Sequence, residues 1–506
     1  MFDDAAAVTA EGLEALFPVL SRVGAGGDSD QERVDQLAVL ERVKSAVAAA
    51  QVRITAAFVD SQERVAQAWR ERARECSDAG DFDGWRAARA QALAASFDDD
   101  GTGHSGRQPA APRRSRRPSG MMGVAAQVAL ARHESPVRGA AHVRLALTLT
   151  RDLPHTLAAL EAGELSEWRA QLVVNETASL TSEQRSLVDA EVVGPLSDTG
   201  GTAGRVGSLG DRELARRVRA VAYRVDAASV MARAVRAESE RRVTIRPAPD
   251  TMAYVTALLP VAQAVAAHAA LTAAADTARA AGDERGKGQV MADTFVTRIT
   301  GQAAADAVPV EVQLVMSDRA LLAGDATPAQ LAGYGTVPAA WARTLLVGSG
   351  PGHAQGSDEA QVWLRRLYSH PATGTLVAMD STRRTFDGGL RRYLLARDVG
   401  TCRTPWCDAP ARHVDHVRDH AQGGPTTDTN GQGVCVRCNH TKQLPGFTAE
   451  TLPTCQPGAP HAVRTTTPTG HTYTSHAPPL LPGQDRGAVS AGVARSIAST
   501  GRTRSA

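Results

Sequence analysis

From residue 31 to 79 the chain contains neither Gly nor Pro, and Val34, Leu37, Leu40, Val43, Val47, Ile54, Phe58, Val65 and Trp69 recur at intervals of three, four or seven. This periodicity predicts a long amphipathic helix, broken at most once, whose apolar stripe packs into a core or against a second copy of the chain. Ser29 and Glu32 stand at capping-box spacing at its start. Residues 121–236 continue in a mostly helical pattern, with two helices expected from Leu153 to Val193, joined at Gly163–Ser166. Val143, Leu145, Leu147 and Leu149 alternate, so a strand there stays open. The Gly-rich residues 195–211 read as a loop. Val243–Ile245 and Met252–Leu258 flank Pro247-Ala248-Pro249-Asp250 as a hairpin. An Ala-rich helix, a helix across Gly288–Ile299, a strand at Val310–Met316 and a hairpin around His370–Gly374 follow. No fixed-period repeat is evident.

Beyond Gly446 the chain turns rich in Thr, Pro and Gly, with one short hairpin expected at Thr465–Ser475 and a disordered end. Between Asp98-Asp99-Asp100 and Gly120 lie five arginines and no acid, which reads as a mobile basic linker able to neutralise phosphates. These shifts divide the chain into a long-helix segment (1–97), the linker (98–120), a mainly helical domain (121–375), a compact module (376–449) and a tail (450–506).

With 43% hydrophobic and 22% charged residues, wholesale disorder is excluded. The net charge of +2 gives no global field toward nucleic acid, so any basic surface is local. Met1-Phe2-Asp3-Asp4 is acidic where a secretory signal is basic. The longest charge-free run, Thr251–Ala275, carries Pro260, Gln263 and His268 and does not read as a membrane span. A cytoplasmic protein with reduced thiols is expected.

Four of the six cysteines then stand out. Cys402 and Cys407 form a C-x4-C knuckle, Cys435 and Cys438 a C-x2-C knuckle. Two such pairs suit a tetrahedral, structural zinc, since four thiolates leave no position for water. Cys76 and Cys455 fall outside the pattern. Between and after the knuckles lie Asp415-His416, Gly423-Gly424-Pro425-Thr426, Asn430 and Asn439-His440-Thr441-Lys442, which a zinc site alone does not explain. A carboxylate is a hard ligand for Mg²⁺, and a neutral imidazole accepts a proton near pH 7. Adjacent residues on a strand point to opposite faces, so Asp415 and His416 need a strand end to converge.

On these residues the segment Leu390–Phe447 resembles the HNH (His-Asn-His) endonuclease family of ββα-metal type. The resemblance implies that His416 is the general base and that Asp415 holds a catalytic divalent ion, Mg²⁺ or similar. Asn430 would brace the loop, and Asn439 would stand at the family's final metal-ligand position, usually His. His440 is the alternative there. DNA is the implied partner, with Arg412, Arg418, Arg437 and Lys442 as candidate contacts. From Arg391 to Gly446 eight basic residues face five acidic ones. His413 and His420 read as surface or supporting residues, and Trp406 as a cap on its knuckle. Leu153–Ser166, Gly288–Asp293 and Gly333–Pro338 resemble the helical domain of unknown function that precedes HNH modules in many actinobacterial proteins.

The expected fold is α+β: a mainly helical N-terminal domain with small hairpins, then a small zinc-stabilised ββα-metal module. The expected activity is metal-dependent hydrolysis of DNA phosphodiesters. The rivals are a zinc-stabilised nucleic-acid-binding module without catalysis, and an interaction protein with a vestigial nuclease module.

Overall fold

The computed structural model describes residues 9–24, 29–95, 121–194, 206–302, 314–331, 334–347, 386, 388–453 and 459–479. The expected linker at 98–120, most of the strand at 310–316, the hairpin at 370–374, Cys455 and the chain end lie outside these residues. The architecture is mostly helical with small antiparallel sheets. Among the described residues, no helix is long and apolar enough to cross a membrane. Two compact units can be described separately.

One unit takes its described residues from Met1–Gln67 and Ala140–Arg233. Most of the predicted long helix is there; it runs unbroken from Asp30 to Asp78, its last residues counted with the other unit, and the Glu32 N–H donates to Ser29 Oγ at 3.2 Å. Within the chain, the core takes a different face from the predicted stripe of larger residues. Ala48, Ala49, Val52 and Ala56 enter the core, whereas Val34, Leu37 and Ile54 are 63%, 67% and 62% exposed. Small side chains let this helix approach leucine-rich neighbours closely, so the alanine face packs and the face of larger residues does not. The neighbours contribute Leu145, Leu149, Leu153, Leu160, Leu165, Leu180 and Leu214, all fully buried.

The alternating Val143–Leu149 run belongs to a helix, Pro136–Arg151. Leu145, Ala146, Leu147 and Leu149 are all buried, so the helix is apolar around most of its girth and shows no clean 3.6-residue period. From Leu153 to Val193 there are three helices rather than two: Pro154–Glu161, Glu167–Glu176 and Ser182–Val192. The second joint is a reciprocal capping box between Thr181 and Gln184. Asp189 caps the first of these helices from outside. Its carboxylate accepts from the His155 and Thr156 N–H groups at 2.7 and 3.0 Å and from the Thr156 hydroxyl. Burial pushes its pKa up, against the pull of these bonds.

The described part of the other unit lies within Ala68–Ser96, Arg114–Gly139 and Ala234–Ala506. Its first hairpin pairs Arg242–Ala248 with Met252–Leu258. Pro247 and Ala248 are in the strand, and the turn falls later, at Asp250 and Thr251, both with positive φ. Helices Val261–Ala280 and Lys287–Thr300 follow as expected. A small sheet joins Leu314–Val315, Ala329–Leu331 and Gly335–Val337. The C-terminal module then comprises a helix (Gly388–Arg397), a hairpin (His413–His416 with Gly431–Val434) and a helix (Val436–Lys442). The expected hairpin beyond Gly446 is present as Ala462–Thr466 and Thr472–His476. A third strand, Thr448–Leu452, completes an antiparallel sheet where the sequence suggested only tail.

Because Asp189 satisfies two otherwise orphaned helix N–H groups, Asp189→Ala is expected to lose about 1–3 kcal/mol of local stability. Hydrogen exchange of the His155 and Thr156 amides in the full chain measures this; unchanged protection would count against the cap.

Candidate active site and sulfur clamp

The strand pair is pinned at one end by sulfur. The chain enters through a tight turn in which the Cys407 N–H donates to Thr404 O at 3.0 Å and Trp406 takes a positive φ. It leaves through Cys435, the N-cap of the helix Val436–Lys442, whose Sγ accepts from the Cys438 N–H at 3.4 Å. The four sulfurs of Cys402, Cys407, Cys435 and Cys438 are buried and lie within 4.8 Å of one another. Cys407 is 3.8 Å from Cys435 and 3.6 Å from Cys438. Ligands about 2.3 Å from a tetrahedral zinc stand about 3.8 Å apart, whereas a disulfide needs about 2.05 Å. The clamp therefore has the dimensions of a zinc site. Hydrogen bonds from Cys407 draw Cys402 down to about 7, and those from Cys402 draw Cys435 lower still. The same bonds, Cys402 first, push Cys407 and Cys438 up. A dication among the four sulfurs would displace the protons these two retain.

A second anchor has no signal in the sequence spacing. Asp398 is fully buried between two arginines. It accepts from Arg397 at 2.9 and 3.0 Å and from the Gly433 N–H at 2.7 Å, with Arg403 Nε 3.6 Å away. Burial holds the Arg403 pKa down to about 10, opposed by the Asp398 charge. Arg403 donates onward to the carbonyls of His461 and Ser475. Thr451 and His461 both bond to Thr429 O. Arg397 and Arg403, counted in the sequence as basic surface, are thus interior, and they tie the C-terminal sheet to the hairpin. Trp406 stacks on His133 at 4.2 Å and meets Tyr473 edge-on at 5.8 Å, a packing role.

Asp415 and His416 end the first strand, and there they converge. His416 Nδ1 lies 3.9 Å from Asp415 Oδ1. His416 Nε2 is 2.9 Å from Thr426 Oγ1. The ring packs on Phe386, with centroids 4.5 Å apart, and meets His420 edge-on at 5.5 Å. Burial lowers the His416 pKa, with Asp415 opposing and His420 and Lys442 adding to the fall. One side chain ties the two ends of the loop between the strands to each other. Asn430 Oδ1 accepts from the Arg418 N–H at 2.9 Å, and its Nδ2 donates to Arg418 O at 3.0 Å and Pro425 O at 2.8 Å. A Cβ at Gly424 would lie 1.8 Å from Arg418 O, which explains the Gly-Gly turn.

The helix Val436–Lys442 packs on the strand that carries Asp415. Asn439 Oδ1 is buried without a hydrogen-bond partner, and so is Asp415 Oδ2. Lys442 Nζ is within ion-pair distance of Asp415 Oδ2, at 2.7 Å, but out of hydrogen-bond line. It donates to Asp419 Oδ1 at 2.7 Å and to His416 O. Two hard, unbonded oxygens on facing elements fit a divalent cation. Arg412 and Arg418 are exposed, whereas Arg437 donates to Pro136 O at 3.1 Å and the Lys442 side chain is only 11% exposed. The contacts of Phe386 and Asp419 carry no distinct sequence signal, whereas Thr426 lies in the Gly-Gly-Pro-Thr run.

The hairpin and helix thus gather an Asp-His pair beside a four-sulfur clamp. Residues 87–398 match the model of a domain of unknown function (DUF222), and residues 400–443 match that of HNH endonuclease. The chain belongs to the DUF222 family and carries an HNH domain directly after that domain. No curated protein and no solved structure matches it.

If the clamp and the Asp398 anchor act together, elemental analysis will find about one zinc per full chain. Cys438→Ser and a chain ending at Phe447 are both expected to lose most of it, with a lowered melting temperature. Full zinc retention in the shortened chain would show that the C-terminal sheet is dispensable.

Proposed function

We propose that the protein is a divalent-metal-dependent endonuclease hydrolysing phosphodiester bonds in DNA, with zinc held by Cys402, Cys407, Cys435 and Cys438 for structure. The observation that carries this reading is the His416 ring, fixed by Thr426 on one nitrogen and presenting the other beside Asp415. With Nε2–H donating to Thr426, Nδ1 keeps its lone pair. Burial keeps the ring neutral near pH 7, the state a base requires. Nδ1 takes a proton from water, the oxygen attacks phosphorus, and the bond to the leaving sugar oxygen breaks; that oxygen keeps the bonding pair and takes a proton from solvent. Asp415 and Asn439, or His440 in its place, would hold the reactive cation, which when bound neutralises charge on the phosphate. Asn430 keeps Thr426 and the base in register. Arg412 and Arg418 are free to meet phosphates. The reduced thiolates of the clamp suit a cytoplasmic setting.

Zinc-loaded protein is expected to cut plasmid DNA with Mg²⁺ or Mn²⁺. His416→Ala should lose about 10²- to 10⁴-fold in rate with zinc content unchanged. Intact plasmid across divalent ions would instead favour a non-catalytic binding module.

A base with a lowered pKa is deprotonated throughout the neutral range. The rate should therefore stay level down through pH 7 and fall only below about 6.5, the ordinary histidine value. A pH–rate profile under single-turnover conditions measures this, and an acid limb centred above 7 would contradict the assignment.

A further inference from the structure

Lys442 sits where the sequence places a DNA contact, yet it does not face outward. Its ammonium bridges Asp415 and Asp419 and donates to the His416 carbonyl, with the side chain 11% exposed. Its bond to Asp419 is well aligned, whereas its contact with Asp415 Oδ2 satisfies distance alone, and that oxygen keeps no hydrogen bond. The lysine is therefore held by Asp419 and the carbonyl, and rests against the oxygen that a divalent ion would take.

We propose that Lys442 is a tethered counter-cation that competes with the divalent ion for Asp415 and so sets the affinity of the site. This rests on the assignment of Asp415 as a metal ligand. Without a divalent ion, the ammonium offsets the half-buried carboxylate at its buried oxygen. When an ion arrives, the lysine gives up Asp415 without becoming an unpaired buried charge, because Asp419 and the His416 carbonyl still receive it. Lys442 is then a positioning residue rather than a phosphate contact. It keeps Asp415 oriented and excludes weakly bound monovalent ions. The flexible four-carbon stem and compact ammonium suit this role better than a planar guanidinium does.

The test is Mn²⁺ binding to the zinc-loaded full chain without DNA, followed by electron paramagnetic resonance and calorimetry. Zinc content and circular dichroism serve as the fold check. Lys442→Gln is expected to bind Mn²⁺ on the order of tenfold more tightly, about 1.4 kcal/mol. Arg392→Gln removes an exposed cation on the helix Gly388–Arg397 that has no part in the site and should change binding less than twofold. Lys442→Arg keeps the charge and should remain within about threefold of the parent, which preserves the test if the Gln variant folds poorly. A gain beyond about threefold for Lys442→Gln, absent in Arg392→Gln, supports the competition. An unchanged or weaker affinity, an equal gain in both variants, or a comparable gain for Lys442→Arg overturns it. Asp415→Asn separates the two levels. If it binds Mn²⁺ like the parent, the ligand assignment itself fails. If it loses the site while Lys442→Gln is unchanged, only the role of Lys442 fails.

Discussion

The module depends on keeping four cysteine sulfurs within a few ångströms of one another. Left to themselves, such sulfurs retain protons or repel as thiolates, so the arrangement calls for a central cation. Each pair of cysteines bounds one end of the hairpin segment, and Cys435 is at once a clamp residue and the N-cap of the helix bearing Asn439 and Lys442. Fixing the sulfurs therefore fixes the rotation of that helix against the strand bearing Asp415. Few large apolar side chains line this region, where the buried cluster beside the sulfurs is Val434 with the partly buried Ala409. Hydrophobic burial alone supplies little there, and polar and ionic anchors carry the remainder.

Those anchors extend past the segment matched as an HNH domain. The buried Asp398 precedes it, and the carbonyls that receive Arg403 follow it, at His461 and Ser475. Removing any partner would leave a charge in the interior, which is far more damaging than never having had the pair. The physical module is thus wider than the run of motif residues.

What the sequence disclosed follows from the range over which each constraint acts. Cysteine spacing, the Asp-His pair, the Gly-Gly turn and Asn430 are short-range patterns, and they come together around one hairpin. The long helix was also legible from the absence of Gly and Pro, but not its buried side. Apolar periodicity ranks residues by size, whereas close packing against leucines favoured Ala48, Ala49 and Ala56 over Val34 and Leu37. Capping by Asp189 depends on partners 33 and 34 positions away, and the inward turn of Arg397 and Arg403 on carbonyls 31 to 72 positions away as well as on the neighbouring Asp398. No local count of charge could have told these arginines from solvent-facing ones.

Asn430 has a final consequence. It is followed directly by Gly431, the neighbour beside which an asparagine most readily sheds its amide nitrogen by backbone attack. Here that nitrogen makes two of the three bonds closing the loop. Its conversion to a carboxylate would set an anion against two carbonyl oxygens with almost no change in shape. The residue that keeps the loop in order is thus also the point at which slow chemical ageing would undo it, and the strand pairing of Gly431 with His416 restrains the backbone motion that such attack requires.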